Sequence, residues 1–312
     1  MGGLRSTMTV DQNSLRPYYY AVVLCIHENG WKKIGNLTQN IVFFDLGDIE
    51  PGLRGFSEAI RVGRYAYLAP LSSRIHSYSS KIIRVDLGPD NIGLTVRTLK
   101  LRNGSLRDIT DILDLSQVLA QASSRAWPGA SVQGQLAGFS SIFNSGKYLI
   151  LVPFRNEHEP QNGQRGHGIV ARLDMNKFDI TGVIVYDLTM TQRNQIPSFP
   201  DTDLRGFSAG FASGKYAVFV PFYNGIFSGK VARIDVSRSS YESDEEINLQ
   251  ELDLIQDSWN DKYTEGGLDI PEFLNYDKFK GFRGGFISLW RGLPYVPPSA
   301  GAAALAAADV AG

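Results

Sequence analysis

Three of the four histidines, His76, His158 and His167, fall in polar stretches between apolar runs, and one lies in Glu157-His158-Glu159. A histidine beside carboxylates is a usable set for metal binding or for acid–base work. Asp201 and Asp203 stand just before Arg205-Gly206-Phe207. With Glu157 and Glu159 they are the carboxylates from which a glycosidase-like pocket could be built, one acting as acid and one as base or nucleophile. No glycosidase motif accompanies them, so that reading is an analogy. Asp201 and Asp203 equally suit turn-forming caps beside Pro200. Tyr223 and Phe227 sit in a short loop with Asn224 and Gly225, and aromatic anchors bring large contact area at little entropy cost. The candidate ligand-binding residues are therefore His76, Glu157, His158, Asp201, Asp203, Tyr223 and Asn224. No catalytic residue, metal or cofactor is assigned.

Other chemistries leave no trace. There is no phosphate-cradling Gly-Lys loop, dinucleotide fingerprint, Ser-His-Asp order or zinc cluster. The single cysteine, Cys25, excludes an intramolecular disulfide, and its place in "AVVLCI" suits a small buried hydrophobe. A net charge of −1 gives no electrostatic case for nucleic acid. No apolar run approaches the roughly 18 residues of a membrane-spanning helix. The N-terminus lacks the apolar stretch of a signal peptide, so a cytoplasmic protein is expected. "MGGLRS" fits the pattern for myristoylation at Gly2, though so short a pattern arises easily by chance. Asn36 and Asn103 head glycosylation sequons that, without a secretory signal, read as turns.

What must position the candidate residues is a repeat. Gly-Phe recurs at 55–56, 138–139, 206–207 and 281–282. After the first three pairs come "RYAYLAP", "KYLILVPF" and "KYAVFVPF", with a degraded "LPYVPP" after the last. Then follow "KIIRVDL", "GIVARLDM" and "GKVARIDV", and a fourth element is clearest at "ITGVIVYDLT". Each is short, rich in Val, Ile, Phe and Tyr, and bounded by Gly, Asn, Asp, Ser or Pro, which is strand and turn punctuation. Ser145-Gly146 and Ser213-Gly214 read as tight hairpin turns, and Pro153 and Pro221 as strand ends. The repeated Arg84/Asp86, Arg172/Asp174 and Arg233/Asp235 pairs recur in every unit, which favours structural salt bridges over a ligand site.

Four antiparallel strands in a unit of about 70 residues, repeated, predict an all-β protein with a β-propeller fold. Three units are continuous. Residues 18–26 and 41–46 supply a third and fourth strand, and 281–288 with 293–298 a first and second. The termini would thus share one blade and close a ring of four. The count becomes five if residues 103–135 or 240–280 hold a degenerate unit. Residues 115–126 and part of 248–263 could form helices in connecting loops, and 242–253 reads as a solvated acidic loop edging into a strand. The phrase resembles that of uncharacterised β-propeller-like repeat proteins, "GF..GF.SGKY.Y.VP…G…R.D", over residues 18–298. That resemblance implies a fold and no catalytic residues.

The domain organisation expected is a disordered extension over 1–17, one propeller over 18–298, and an Ala-rich disordered tail over 299–312. The function expected is a non-catalytic binding or interaction module. Its small-molecule, glycan or protein partner would sit on the face carrying residues 71–80, 155–167 and 223–229, the connections that vary most between units. The alternative is a hydrolase with a carboxylate-lined central pocket.

Overall fold

The computed structural model describes residues 7–10, 17–20, 22–26, 41–74, 77–88, 106–118, 136–156, 166–189, 204–237, 249–253 and 281–285. Near the N-terminus, β1 (Thr7–Val10) pairs with β2 (Pro17–Tyr20), and β3 (Val22–Ile26) with β4 (Ile41–Asp45), both antiparallel. The run 18–26 is therefore two strands with different partners, and β1 lies inside the stretch expected to be an extension.

Three four-stranded antiparallel sheets follow. The first is built from β5 (Phe56–Val62), β6 (Tyr65–Pro70), β9 (Lys81–Asp86) and β10 (Thr110–Asp114), in that spatial order. A small hairpin, β7 (Ser72–Arg74) with β8 (Ser77–Tyr78), occupies the connection between β6 and β9. The second sheet runs β11 (Phe139–Ser145), β12 (Tyr148–Pro153), β13 (Ile169–Asp174), β14 (Val183–Asp187). The third runs β15 (Phe207–Ser213), β16 (Tyr216–Pro221), β17 (Lys230–Asp235), β18 (Gln250–Asp253).

Residues 110–114 and 250–253 thus serve as fourth strands of these sheets. The helix expected from residue 115 is, in its described part, a 3-10 turn over Leu115–Gln117 capped by the Asp114 carboxylate. The one expected within 248–263 is replaced at 250–253 by β18.

Strand alternation explains why the second strands are apolar throughout. Along β12, Leu149 and Leu151 enter a core with Tyr67, Ile82 and Leu113 of the first sheet, while Tyr148, Ile150 and Val152 face Phe207, Phe219 and Ile234 of the third. A sheet buried on both faces needs a continuous apolar run instead of alternation. A third cluster, with Leu46, Leu53, Phe56, Leu68 and Ile83, covers the other face of the first sheet.

The Gly-Phe kernel joins one sheet to the next. Its glycine has positive φ at 55, 138, 206 and 281. The Gly138 and Gly206 amides donate to the carbonyls of Ser79 and His167, each just ahead of the third strand of the preceding sheet. A register shift after each Phe makes a bulge at Ser57, Ser140 and Ser208. The bulge turns each hydroxyl toward the next sheet: Ser57 Oγ donates to Phe139 O at 2.8 Å, and Ser140 Oγ to Phe207 O at 2.7 Å. Ser208 repeats the contact with Phe282 O at 2.5 Å, while the Phe282 amide donates to Pro221 O.

The Arg-x-Asp pairs also resolve into architecture. Asp86, Asp174 and Asp235 pair with the hairpin cations Arg64, Lys147 and Lys215, and each Asp also accepts the amide of the residue two further on. The arginines stack on the hairpin tyrosines instead. Arg84 lies 4.9 Å from the Tyr65 ring, Arg172 4.1 Å from Tyr148, and Arg233 4.3 Å from Tyr216. Arg172 is buried and donates across to Val236 O of the third sheet.

Candidate functional site

The connections between second and third strands meet the sheet-to-sheet connections on one face. Ser72, Arg155 and Tyr223 occupy equivalent positions, each donating its amide to the kernel carbonyl of its own sheet, Gly55, Gly138 or Gly206. That backbone hydrogen bond recurs in all three sheets, while the loops beyond it differ, the β7–β8 hairpin in the first and a bridge between Tyr223 and Phe227 in the third.

In the third sheet this loop is a tight reversal. Tyr223 and Phe227 form an isolated antiparallel bridge, the Ser228 amide donates to Phe222 O, and the Asn224 amide to Ile226 O. Asn224 is buried, and its Oδ1 accepts the Ile226 amide at 3.4 Å. A short side-chain-to-backbone bond of this kind holds a turn in place. The reversal drives Ile226 and Phe227 outward, 70% and 55% exposed, against a rule that keeps large apolar side chains inside.

Behind them the rings form a connected group drawn from two segments. Phe222 stands 6.1 Å from Phe154, 6.5 Å from Tyr223 and 5.9 Å from Phe227, and the Tyr223–Phe227 pair is edge-on at 5.5 Å. Edge-to-face contacts at these separations are the favoured aromatic geometry. Two guanidiniums lie on this group. Arg155 is 5.5 Å from both the Phe154 and Tyr223 rings, and the exposed Arg283 is 5.3 Å from Phe222. The Gly281 kernel fits against it closely enough that a Cβ there would meet Phe227 Cδ1 at 2.4 Å.

Of the seven candidate residues, Tyr223 and Asn224 are in this cluster, Asn224 as a buried organiser of the loop. His76, Glu157, His158, Asp201 and Asp203 lie outside the described residues, as does Glu159. Among the described residues no group of three or more His, Cys, Asp or Glu is placed to hold a metal ion. No helix among them is long and apolar enough to cross a membrane.

His167, expected in an exposed polar loop, is buried instead, its ring edge-on to Phe139 at 5.6 Å. Its Nδ1 accepts the Ile169 amide at 3.3 Å, the role that Ser79 Oγ and Ser228 Oγ perform toward Lys81 and Lys230 in the other sheets. That leaves Nε2 to carry the proton and donate to Gly138 O at 3.3 Å. Burial pushes the imidazole pKa down to about 4, the Gly138 carbonyl opposing and the Arg205 charge assisting. His167 is a neutral structural histidine.

Arg155 and Arg283 were missed from sequence. Arg283 had a signal: it stands where the other three kernels carry Ser57, Ser140 and Ser208. No protein-family model matches the chain, and no curated protein matches its sequence.

Proposed function

We propose that the protein is a non-catalytic interaction module, a four-bladed β-propeller whose recognition surface is centred on Tyr223, Ile226 and Phe227. The observation that carries this reading is the pair of exposed large apolar side chains held at the tip of an otherwise well-bonded loop. Exposing them is unfavourable unless a partner covers them, and the rings behind them keep the tip rigid, so little entropy is lost on binding.

The ring is supported by the way the fourth kernel docks. Gly281 and Phe282 bond to Ser228, Pro221 and Ser208 of the third sheet. Gly206 and Phe207 engage His167 and Ser140 of the second in the same way. In this reading the segment from residue 281 begins the inner part of a fourth blade, with the β3–β4 pair as its outer strands. Closure of that kind leaves no open sheet face and brings the loops around one rim.

The test is a thermal-shift screen with peptides, glycans and divalent metals on the natural protein and on the Ile226→Ser/Phe227→Ser double variant. The variant is expected to keep its own melting temperature within about 2 °C, since exposed positions contribute little to stability. A ligand that stabilises the natural protein and not the variant supports the surface. One that stabilises both equally overturns its placement.

A further inference from the structure

We propose that the partner of this surface is an acidic protein segment carrying an apolar side chain, its carboxylate held by Arg283 and its apolar group by Phe227 and Ile226. This rests on the surface just described and names what covers it.

The first observation is a break in an otherwise uniform construction. At the bulge after each Gly-Phe pair, Ser57, Ser140 and Ser208 direct a hydroxyl to the next sheet's Phe carbonyl. The fourth kernel puts Arg283 at that position, exposed and lying over the Phe222 ring. A long cation in place of a short hydroxyl does nothing for the sheet-to-sheet bond that the serines make. What it does is place a charge beside the aromatic group.

The second observation is that the ring under Arg283 belongs to the same group as the exposed tip, with Phe222 and Phe227 edge-on at 5.9 Å. A guanidinium resting on an aromatic face is held flat with its N–H edge outward, the arrangement that accepts a carboxylate in bidentate fashion. The surface therefore offers an anchor pair of opposite character, apolar at the tip and cationic at its base.

Shape selects the class of partner. Small molecules are taken by concave sites that bury most of their surface. Ile226 and Phe227 project instead, and projecting aliphatic and aromatic anchors beside Arg are the make-up of protein–protein hot spots. Charge then selects the chemistry within that class, because a basic partner would set a like charge against Arg283.

The experiment uses fluorescein-labelled, end-capped dodecapeptides titrated against the full chain by anisotropy. One probe carries two Trp residues among Glu; a second replaces every Glu by Gln; a third replaces them by Lys. The Glu peptide is expected to bind at least about tenfold tighter than the Gln peptide, with that advantage shrinking between low and high salt. Arg283→Gln is expected to remove most of the Glu-over-Gln preference, and Arg283→Lys to restore part of it, while neither changes the melting temperature. Phe227→Ser is expected to weaken the Glu and Gln peptides alike.

Equal binding of the Glu and Gln peptides, tighter binding of the Lys peptide, no binding by any of the three, or an unchanged preference in Arg283→Gln would each overturn the proposal. If Phe227→Ser weakens binding while Arg283→Gln leaves the preference intact, the acidic partner is refuted and the surface survives. If peptides bind and Phe227→Ser has no effect on any of them, the surface itself is refuted.

Discussion

Replacing Gly206 by alanine tests the construction of the kernel, and Gly214 supplies the control. Both have left-handed backbone, φ 64° and 59°. An L side chain in that region costs roughly 1–2 kcal/mol wherever it occurs. The surroundings differ. A Cβ on Gly214 meets nothing within 4 Å, whereas one on Gly206 would lie 1.9 Å from Tyr223 O and 2.8 Å from its carbonyl carbon. Real contacts of this type need more than 3 Å, so the loop at Tyr223 must retreat by over an ångström. That movement disrupts the 2.9 Å bond from the Tyr223 amide to Gly206 O and the 3.3 Å bond from the Gly206 amide to His167 O. Leaving such groups unsatisfied costs about 1–3 kcal/mol each. Gly206→Ala should therefore lose about 3–8 kcal/mol and Gly214→Ala about 1–2. At about 2–4 °C per kcal/mol for a chain of this order, the melting points should fall by roughly 6–30 °C and roughly 2–8 °C. Urea unfolding followed by circular dichroism, with thermal melts alongside, measures both. Equal losses in the two variants would refute the close-approach argument and leave only a shared backbone preference.

Two further outcomes are expected. His167 titrates near 4 when folded and near 6.5 when unfolded, so the unfolded chain binds a proton that the folded one refuses. Stability is then full above about pH 6.5 and falls as the pH drops toward 4, by about 3 kcal/mol in all. His167→Ser, which keeps the acceptor used at Ser79 and Ser228, should flatten urea midpoints between pH 7 and 5, and an unchanged slope would contradict the assignment. Gly210→Ala should cost about 1–3 kcal/mol by overpacking, because its Cβ would stand 2.4 Å from Phe143 Cε1. Phe143→Leu in the same chain should return part of that loss, and strict additivity of the two changes would show that they do not touch.

How much of this was legible differs by element. The hairpins at Ser145-Gly146 and Ser213-Gly214 and the strand ends at Pro153 and Pro221 could be read because their causes are local, a positive φ and a missing amide hydrogen. The fourth strand of the first sheet could not, and that of the third was legible only as an acidic loop over 242–253 edging into a strand. β10 buries only Leu113 fully, and Leu252 of β18 is 46% exposed, so neither strand carries an apolar alternation. An outer strand is specified by the partner it bonds to more than by its own residues. At the candidate site, Tyr223 and Phe227 were legible as aromatics in a polar loop. Arg155 and Arg283 were not read as part of it, because the Tyr223 and Phe222 rings they lie on come from another segment; only the replacement of the kernel serine by Arg283 marked either one in the sequence.

By itself the sequence determined the repeated phrase, the hairpin turns and the strand ends, since turn chemistry and runs of Val, Ile, Phe and Tyr act over a few residues. It also showed that the Arg-x-Asp pairs recur in every unit and are therefore architecture. Only the tertiary structure decided which partners those residues take: Asp235 with Lys215, Arg233 on the Tyr216 ring, Ser140 on Phe207 O. It decided too that His167, polar and flanked by glycines, is enclosed beside Phe139 while Ile226 and Phe227 stand in solvent. Burial and hydrogen-bond partnership depend on what packs from another sheet, and no local pattern of residue types carries that information.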